Sequence, residues 1–232
     1  MRINTMEVAH LSTTNWVCNL TDYVAMYDLS KSDLQKSIVD FPAGISSVNV
    51  EANAEGAHII SVDPFYNLTP EKMFIHAEAI LQENIAYLNK TKGRLKEETM
   101  LDHVIHLWKN SERNFLADYE KGKSEKRYQY AALPKLPFSF HQFELALCTD
   151  FLFHHALSSD DIVRVFQALS HVALEVRFYP LLNHSGKMTD ELGPFLLWLQ
   201  KNNFGTEVRQ VPYEIQKGGN AMLRVWSQEC HL

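Results

Sequence analysis

The stretch Ser37–Tyr66, SIVDFPAGISSVNVEANAEGAHIISVDPFY, constrains this chain more than any other. Ser37–Phe41 predicts a short apolar strand. Pro42, Ala43 and Gly44 turn the chain, and Ser46 and Ser47 open a helix whose free N–H groups their hydroxyls can cap. His58–Val62 predicts a second strand, with Asp63 at its end. This is half of a βαβ unit of the nucleotide-binding kind. The turn can approach a ligand closely, and Asp63 can hold the two hydroxyls of a ribose. An ordinary βαβ unit with an Asp-terminated strand fits the same residues.

The turn departs from the dinucleotide fingerprint, which needs three glycines. Only Gly44 is present, and Pro42 and Ala43 stand in for the others. Asp40 in place of the first glycine, a small-residue turn and a second acid at the next strand end suit adenosine without phosphates. Asp40-Phe41-Pro42-Ala43-Gly44 followed by Asp63 resembles the first two motifs of the class I S-adenosylmethionine (SAM) methyltransferases.

Composition bounds the rest. The 232 residues are 46% hydrophobic and 22% charged, enough for one α/β domain with a decoration. A net charge of −6 disfavours a nucleic-acid surface built on bulk charge. The three cysteines, Cys18, Cys148 and Cys230, are far apart and form no CxxC, so neither a disulfide scaffold nor a zinc site is expected. The N-terminal stretch MRINTMEVAHLSTTNWVC has no uninterrupted apolar region, and no run approaches the ~20 residues of a membrane span. A cytoplasmic protein with reduced thiols is the expectation.

Residues 1–36 read as a lead-in with a short helix around Tyr23–Tyr27. Residues 67–127 form an insertion with a helical pattern, broken by the charged stretch Lys90–Glu98. Met73, Ala77, Ile80, Leu81, Ile85 and Leu88 repeat at three- and four-residue steps, as do Leu101, Val104, Ile105, Trp108, Phe115, Leu116 and Tyr119. It is either a packing decoration or a lid or substrate wall. The cluster KGKSEKR at Lys121–Arg127 reads as a solvated loop.

Further on, Arg127–Leu133 predicts a strand, Pro134–Phe140 a Pro-rich link and Phe143–Thr149 a buried parallel strand. A helix is expected over Asp160–Ser170, capped by Ser158 or Ser159. Strand His171–Leu181 follows, then a helix from Thr189 to about Asn202 with Gly205 beyond its end. Strands Glu207–Ile215 and Ala221–Ser227 are joined by QKGGN, whose glycines suit a hairpin. The sheet is therefore expected to run parallel and to end antiparallel, as in the methyltransferases.

Later segments extend the resemblance to a set of bacterial class I methyltransferases without an assigned substrate. Phe143–Phe153 is similar to their FDLALCSHFLF, Glu175–Leu182 to EVRIFPLL, and Val211–Val225 to VPYEFQRGGNQMLRV. Trp108, Phe115, Leu116, Asp118 and Tyr119 follow their WxxxxxxFLxDY. The match covers roughly Tyr23–Trp226, nearly the whole chain. One departure stands out: their glycine-rich first turn, similar to DxGGGxSSF, is DFPAGISSV here, so Pro42 removes a donor and Ala43 adds a methyl.

The resemblance implies one Rossmann-like α/β domain, a seven-stranded, mostly parallel sheet with helices on both faces. It implies SAM as cofactor and methyl transfer to a small molecule. Asp63 would bind the ribose, with Pro64 beside it; Phe65 would flank the adenine or pack in the core. Asp40, Pro42, Ala43 and Gly44 would lie under the methionine part, and Ala131, Ala132 and Leu133 at the adenine edge. Cys148, Thr149 and Asp150 would end the fourth strand beside the sulfonium. Tyr23 and Tyr27 would close over the cofactor or pack. His154 and His155 are candidates for a general base, beside Asp150, or are ordinary loop histidines. Arg177, Tyr179, Tyr213, Gln216 and Asn220 would line the acceptor side. His141, His171 and His184 match no compact metal-ligand spacing, so no metal is expected. A second function class stays open: a SAM-fold binding or regulatory protein whose Pro42-Ala43 turn has lost catalysis. A nicotinamide-dependent oxidoreductase is disfavoured by the missing glycines and the terminal hairpin.

Overall fold

The computed structural model of the protein describes residues 16–155 and 157–228. The N-terminal stretch 1–15 and Cys230 lie outside the described residues. One seven-stranded sheet organises the chain, in the order β3-β2-β1-β4-β5-β7-β6. Strands β1 (Ser37–Asp40), β2 (His58–Asp63), β3 (Tyr128–Tyr130), β4 (Phe143–Thr149) and β5 (Ala173–Tyr179) are parallel. Strand β7 (Ala221–Ser227) pairs antiparallel with both β5 and β6 (Phe204–Gln210). This is the Rossmann-like arrangement, with its reversed terminal strand, that the motifs implied.

Alternating side chains split the core between the two faces of the sheet. Val39, Ala146, Val176 and Phe178 pack under α5 (Ser159–Val172) and α6 (Leu192–Lys201). Ile38, Ile59, Leu145 and Leu147 pack under α1 (Leu20–Tyr27) and α2 (Val48–Ala54). The insertion folds as α3 (Pro70–Lys90) and α4 (Leu101–Ser124), and a third core of Met73, Leu81, Trp108, Phe115 and Tyr119 joins them to Ala43, Ile45 and Tyr128. Two short 3-10 turns, Lys92–Arg94 and Glu98–Met100, connect the pair. Ser158 caps α5 by accepting the Asp161 N–H at 3.2 Å.

Several expectations are corrected. Ser46 and Ser47 do not cap α2: the Ser46 hydroxyl accepts the Cys18 N–H, and that of Ser47 donates to Glu51. Thr189 does not cap α6, which starts at Leu192 with no side-chain cap. The strand at 127–133 shrinks to Tyr128–Tyr130, and that at 171–181 to Ala173–Tyr179. The strand expected at Glu207–Ile215 runs instead from Phe204 to Gln210, so Gly205, which does lie beyond the end of α6, falls inside β6. A Cβ at Gly205 would meet the Trp226 ring at 2.4 Å, so glycine makes room for the cross-strand indole.

The expected solvated loop at Lys121–Arg127 is also overturned. Lys121–Ser124 complete α4, and Arg127 is buried. Its guanidinium donates to both Asp118 oxygens, at 2.7 and 2.9 Å, and to Asn49 Oδ1 at 2.6 Å. The acid of the WxxxxxxFLxDY-like segment thus ties α4 to β3 and α2.

Candidate functional site

In an open α/β sheet, ligands bind outside the carboxyl ends of the strands, where strand order reverses. Here that point lies between β1 and β4. The ends of β1, β2 and β4 bring Asp40, Asp63, Thr149 and Asp150 to this edge, all buried.

Asp40 ends β1 and accepts the Tyr23 hydroxyl at 3.1 Å. Thr149 donates to that same tyrosine oxygen at 2.8 Å, so Tyr27, 2.7 Å from the threonine, must donate to Thr149. A chain of hydroxyls from Tyr27 through Thr149 and Tyr23 therefore points its protons at Asp40. Burial pushes the Asp40 carboxyl up to about 8, with Tyr23 opposing and Asp63 adding to the shift.

Asp63 is a clip. One oxygen accepts the Gly44 N–H at 3.0 Å and the other the Phe65 N–H at 2.9 Å. It holds the turn after β1 against the turn after β2. Burial raises its carboxyl to about 6, against those two N–H groups. The Phe41–Pro42 bond is cis, the Ala43 N–H donates to Val62 at 3.0 Å, and Gly44 has a φ of 59° that favours glycine. Tyr66 donates to the Gly44 carbonyl at 2.6 Å. Between the clip and α3 lies a slot of about 10 Å³, lined by Gly44, Ile45, Phe65 and Tyr66 below and by Met73, His76 and Ile80 of α3 above. Phe65 and His76 face each other across it, with centroids 4.1 Å apart.

At the end of β4 the chain enters the left-handed region at Asp150, with a φ of 52°. Its N–H donates to the Tyr179 carbonyl at 2.6 Å. Neither carboxylate oxygen has a hydrogen-bond partner. His154 Nδ1 lies 3.1 Å from Oδ1, an electrostatic contact without hydrogen-bond alignment. Burial raises the Asp150 carboxyl, and His154 opposes that rise. Burial disfavours the charged imidazole of His154, but Asp150 outweighs it and raises that group overall. Burial and the neighbouring histidines push His155 down to about 4, and its Nε2 has no partner.

The other predicted residues divide. Tyr179 donates to the Gly219 carbonyl, and its ring meets Tyr213, whose hydroxyl has no partner. Gln216 pairs with Leu95 across the mouth. Arg177 leaves the acceptor side: it is buried against Asp33, Glu175 and the Tyr27 carbonyl, locking α1 to β5. Cys148 is buried core, and burial with Asp40 nearby raises its thiol, against a nucleophilic role. Ala131 and Leu133 are buried, while Ala132 bridges to Lys135. Pro64 is half-buried beside the clip. His141 and His171 pair through backbone before β4 and β5, at the opposite edge from His154.

Two features escaped the sequence. Tyr66 closes the turn, but its spacing marked it no differently from a core tyrosine. The connector between α3 and α4 forms a roof: Lys96 N–H donates to Ile215 at 2.7 Å and Lys217 N–H to Arg94 at 2.9 Å. Lys96 also pairs with Glu214 at 3.0 Å, and Tyr87 and Arg94 donate to the His184 carbonyl. The charged break between the helices was visible, but not what it would dock on.

No protein-family model matches the chain. It is 28% identical over 214 residues to the uncharacterized protein MJ0045 of Methanocaldococcus jannaschii, covering 88% of this chain and 92% of that one. Among solved structures it is similar to 1,6-didemethyltoxoflavin-N1-methyltransferase of Burkholderia thailandensis, solved with 1,6-didemethyltoxoflavin and S-adenosylhomocysteine. That likeness has 13% identity and a TM-score of 0.45 over 90% of this chain and 76% of that one. A SAM dependent methyltransferase of Aquifex aeolicus is 11% identical, with a TM-score of 0.42, over 97% and 98% of the two chains.

Proposed function

We propose that this chain is a SAM-dependent methyltransferase acting on a small molecule. The observation that carries the reading is the placement of Asp40 and Asp63 at the ends of adjacent parallel strands, across a small-residue turn, at the reversal point of a sheet with an inverted terminal strand. The donor set suits an adenosyl group. Asp63 has lone pairs left after its two backbone bonds, and Ile45 and Phe65 offer apolar walls for a base. The space is the obstacle, since about 10 Å³ holds roughly one water. Three of the lining residues belong to α3, so the insertion acts as the lid that must lift.

SAM, when bound, supplies an electrophilic methyl on a sulfonium. The residues of this chain bind, orient and handle protons. Asp63 and Phe65 hold the nucleoside, with Pro64 fixing the turn between them. Asp40, Pro42, Ala43 and Gly44 floor the remainder, with Ala132 and Leu133 at the edge. Thr149 and Tyr27 keep the Asp40 network in one orientation, Cys148 packs behind it, and Asp150 with His154 receives the proton that the acceptor sheds. His155, held neutral near pH 7, is a second base within the same loop. A net charge of −6 fits a small acceptor better than a nucleic acid. Among the described residues, no helix is long and apolar enough to cross a membrane.

A second reading keeps the fold without turnover, and the clip favours it: both Asp63 oxygens serve backbone and the turn is buried. Calorimetric titration with SAM and S-adenosylhomocysteine tests both. We expect micromolar binding, weakened at least about tenfold by His76→Trp, which fills the slot from the lid side and leaves the clip intact. Absence of binding by the folded chain sinks the cofactor reading. Binding without turnover across an acceptor library favours the second.

A further inference from the structure

Asp150 is 1% exposed, yet neither carboxylate oxygen has a hydrogen-bond partner. A buried, unsatisfied carboxylate is costly and is kept only for a reason. It also sits in the left-handed region, a strain that aspartate tolerates better than most residues. His154 Nδ1, 3.1 Å from Oδ1, is its ion-pair partner among the described residues, and it leaves Oδ2 without a donor. The Tyr179 carbonyl is an acceptor, already taken by the Asp150 N–H, and the Tyr179 hydroxyl is given to Gly219. Among the described residues no lysine or arginine pairs with Asp150. Arg177 is held by Asp33 and Glu175, and Lys96 by Glu214. Two further buried atoms, Tyr213 Oη and His155 Nε2, are also without partners. The Asp150 charge is felt at both Tyr179 and Tyr213.

A carboxylate only accepts hydrogen bonds, so its missing partner is a donor, which excludes a carboxylate or phosphate ligand. Phe151 follows it in the chain, and Tyr179, whose carbonyl takes the Asp150 N–H, packs its ring against Tyr213, so the neighbourhood is aromatic and suits an apolar body. We propose that Asp150 anchors a basic nitrogen, so that the methyl acceptor is a small amine on an apolar or aromatic body. This deepens, and rests on, the methyltransferase reading. Residue 149 belongs to the hydroxyl chain on the cofactor side and residue 150 to the amine side, so adjacent residues bring donor and acceptor together. In the transfer, the amine lone pair forms the new N–CH3 bond as the methyl–sulfur bond breaks, and that bond's electrons stay on sulfur as a neutral thioether. The proton that the nitrogen sheds passes to the Asp150–His154 pair.

The test uses three probes with one ring and different heads: benzylamine, benzyl alcohol and benzoate. Each is titrated by calorimetry into the full chain, with and without S-adenosylhomocysteine. Benzylamine alone is expected to bind, and Asp150→Asn, which keeps shape and tolerates the same backbone, to weaken it at least about tenfold. Tyr213→Phe is expected to weaken it less. No benzylamine binding at millimolar concentration, equal binding of the alcohol, or indifference to Asp150→Asn overturns the proposal. S-adenosylhomocysteine binding without amine selectivity sinks the amine site alone. Amine selectivity without S-adenosylhomocysteine binding sinks the methyl-transfer reading and leaves the amine site standing.

Discussion

Asp40 shows what burial does to a single carboxyl. Its proton is held to about 8 rather than the ordinary 3.8. Between those values the folded chain keeps a proton that the unfolded chain has lost. The stabilisation is therefore full below about pH 3.8, falls as pH rises, and is gone above about 8. His155, with its value lowered from 6.5 to about 4, acts in the opposite sense below pH 6.5, Asp63 is at its midpoint near 6, and His154, raised above 6.5 by Asp150, also loses its proton as pH rises. From pH 6.5 to 8 the Asp40 contribution is therefore read as the difference between the unaltered chain and Asp40→Asn, since His154 and Asp63 are common to both. Urea unfolding across that range should show stability dropping as pH rises, and Asp40→Asn should flatten that slope by about one proton. An unchanged slope would mean that the Tyr23 hydrogen bond keeps Asp40 ionised. The acid and its place at a strand end were legible in the sequence; its hydroxyl chain was not, because Tyr23, Tyr27 and Thr149 meet only when α1 folds onto β4.

At the scale of elements, α4 carries the main surprise. A run of charges usually means a wet surface, yet Arg127 is buried and forked onto Asp118. Both partners were visible, Asp118 in a motif and Arg127 in a charge cluster, but the helix had to extend to Ser124 before they could meet. Breaking the pair leaves a buried charge, so Arg127→Ala should cost about 3–5 kcal/mol. Replacing both, as in Arg127→Met with Asp118→Leu, should recover most of that loss. Equal losses in the single and double variants would show that Asn49 and Tyr128, which also bond the pair, matter more than the pair itself.

For the whole molecule the decisive feature is the roof. Lys96 donates from the insertion to the loop between β6 and β7, Lys217 donates back from that loop to Arg94, and these bonds hold α3 down over the slot. Few buried contacts support the connector: Gly93, Arg94, Lys96 and Glu97 are exposed, and Leu95 alone is buried. Hydrogen exchange should therefore find the Lys96 and Lys217 amides opening together, well before those of β4 and β5. S-adenosylhomocysteine should change their exchange while leaving the central strands untouched. Independent exchange of the two amides would argue against a single opening unit.

The sequence by itself determined the strands, their order of appearance and the reversed ending, because alternation and apolar runs are local properties that the backbone must obey. It also placed both acids at strand ends, since a strand that stops at a turn leaves its last residue at the sheet edge. Tertiary structure alone decided that Asp63 clips two turns, that Arg177 serves α1 rather than the acceptor side, and that Asp150 is left with His154 as an ion pair but without a hydrogen-bond partner. Each depends on which groups arrive from segments distant in the chain, and hydrogen-bond satisfaction is a property of that assembled neighbourhood rather than of any local pattern.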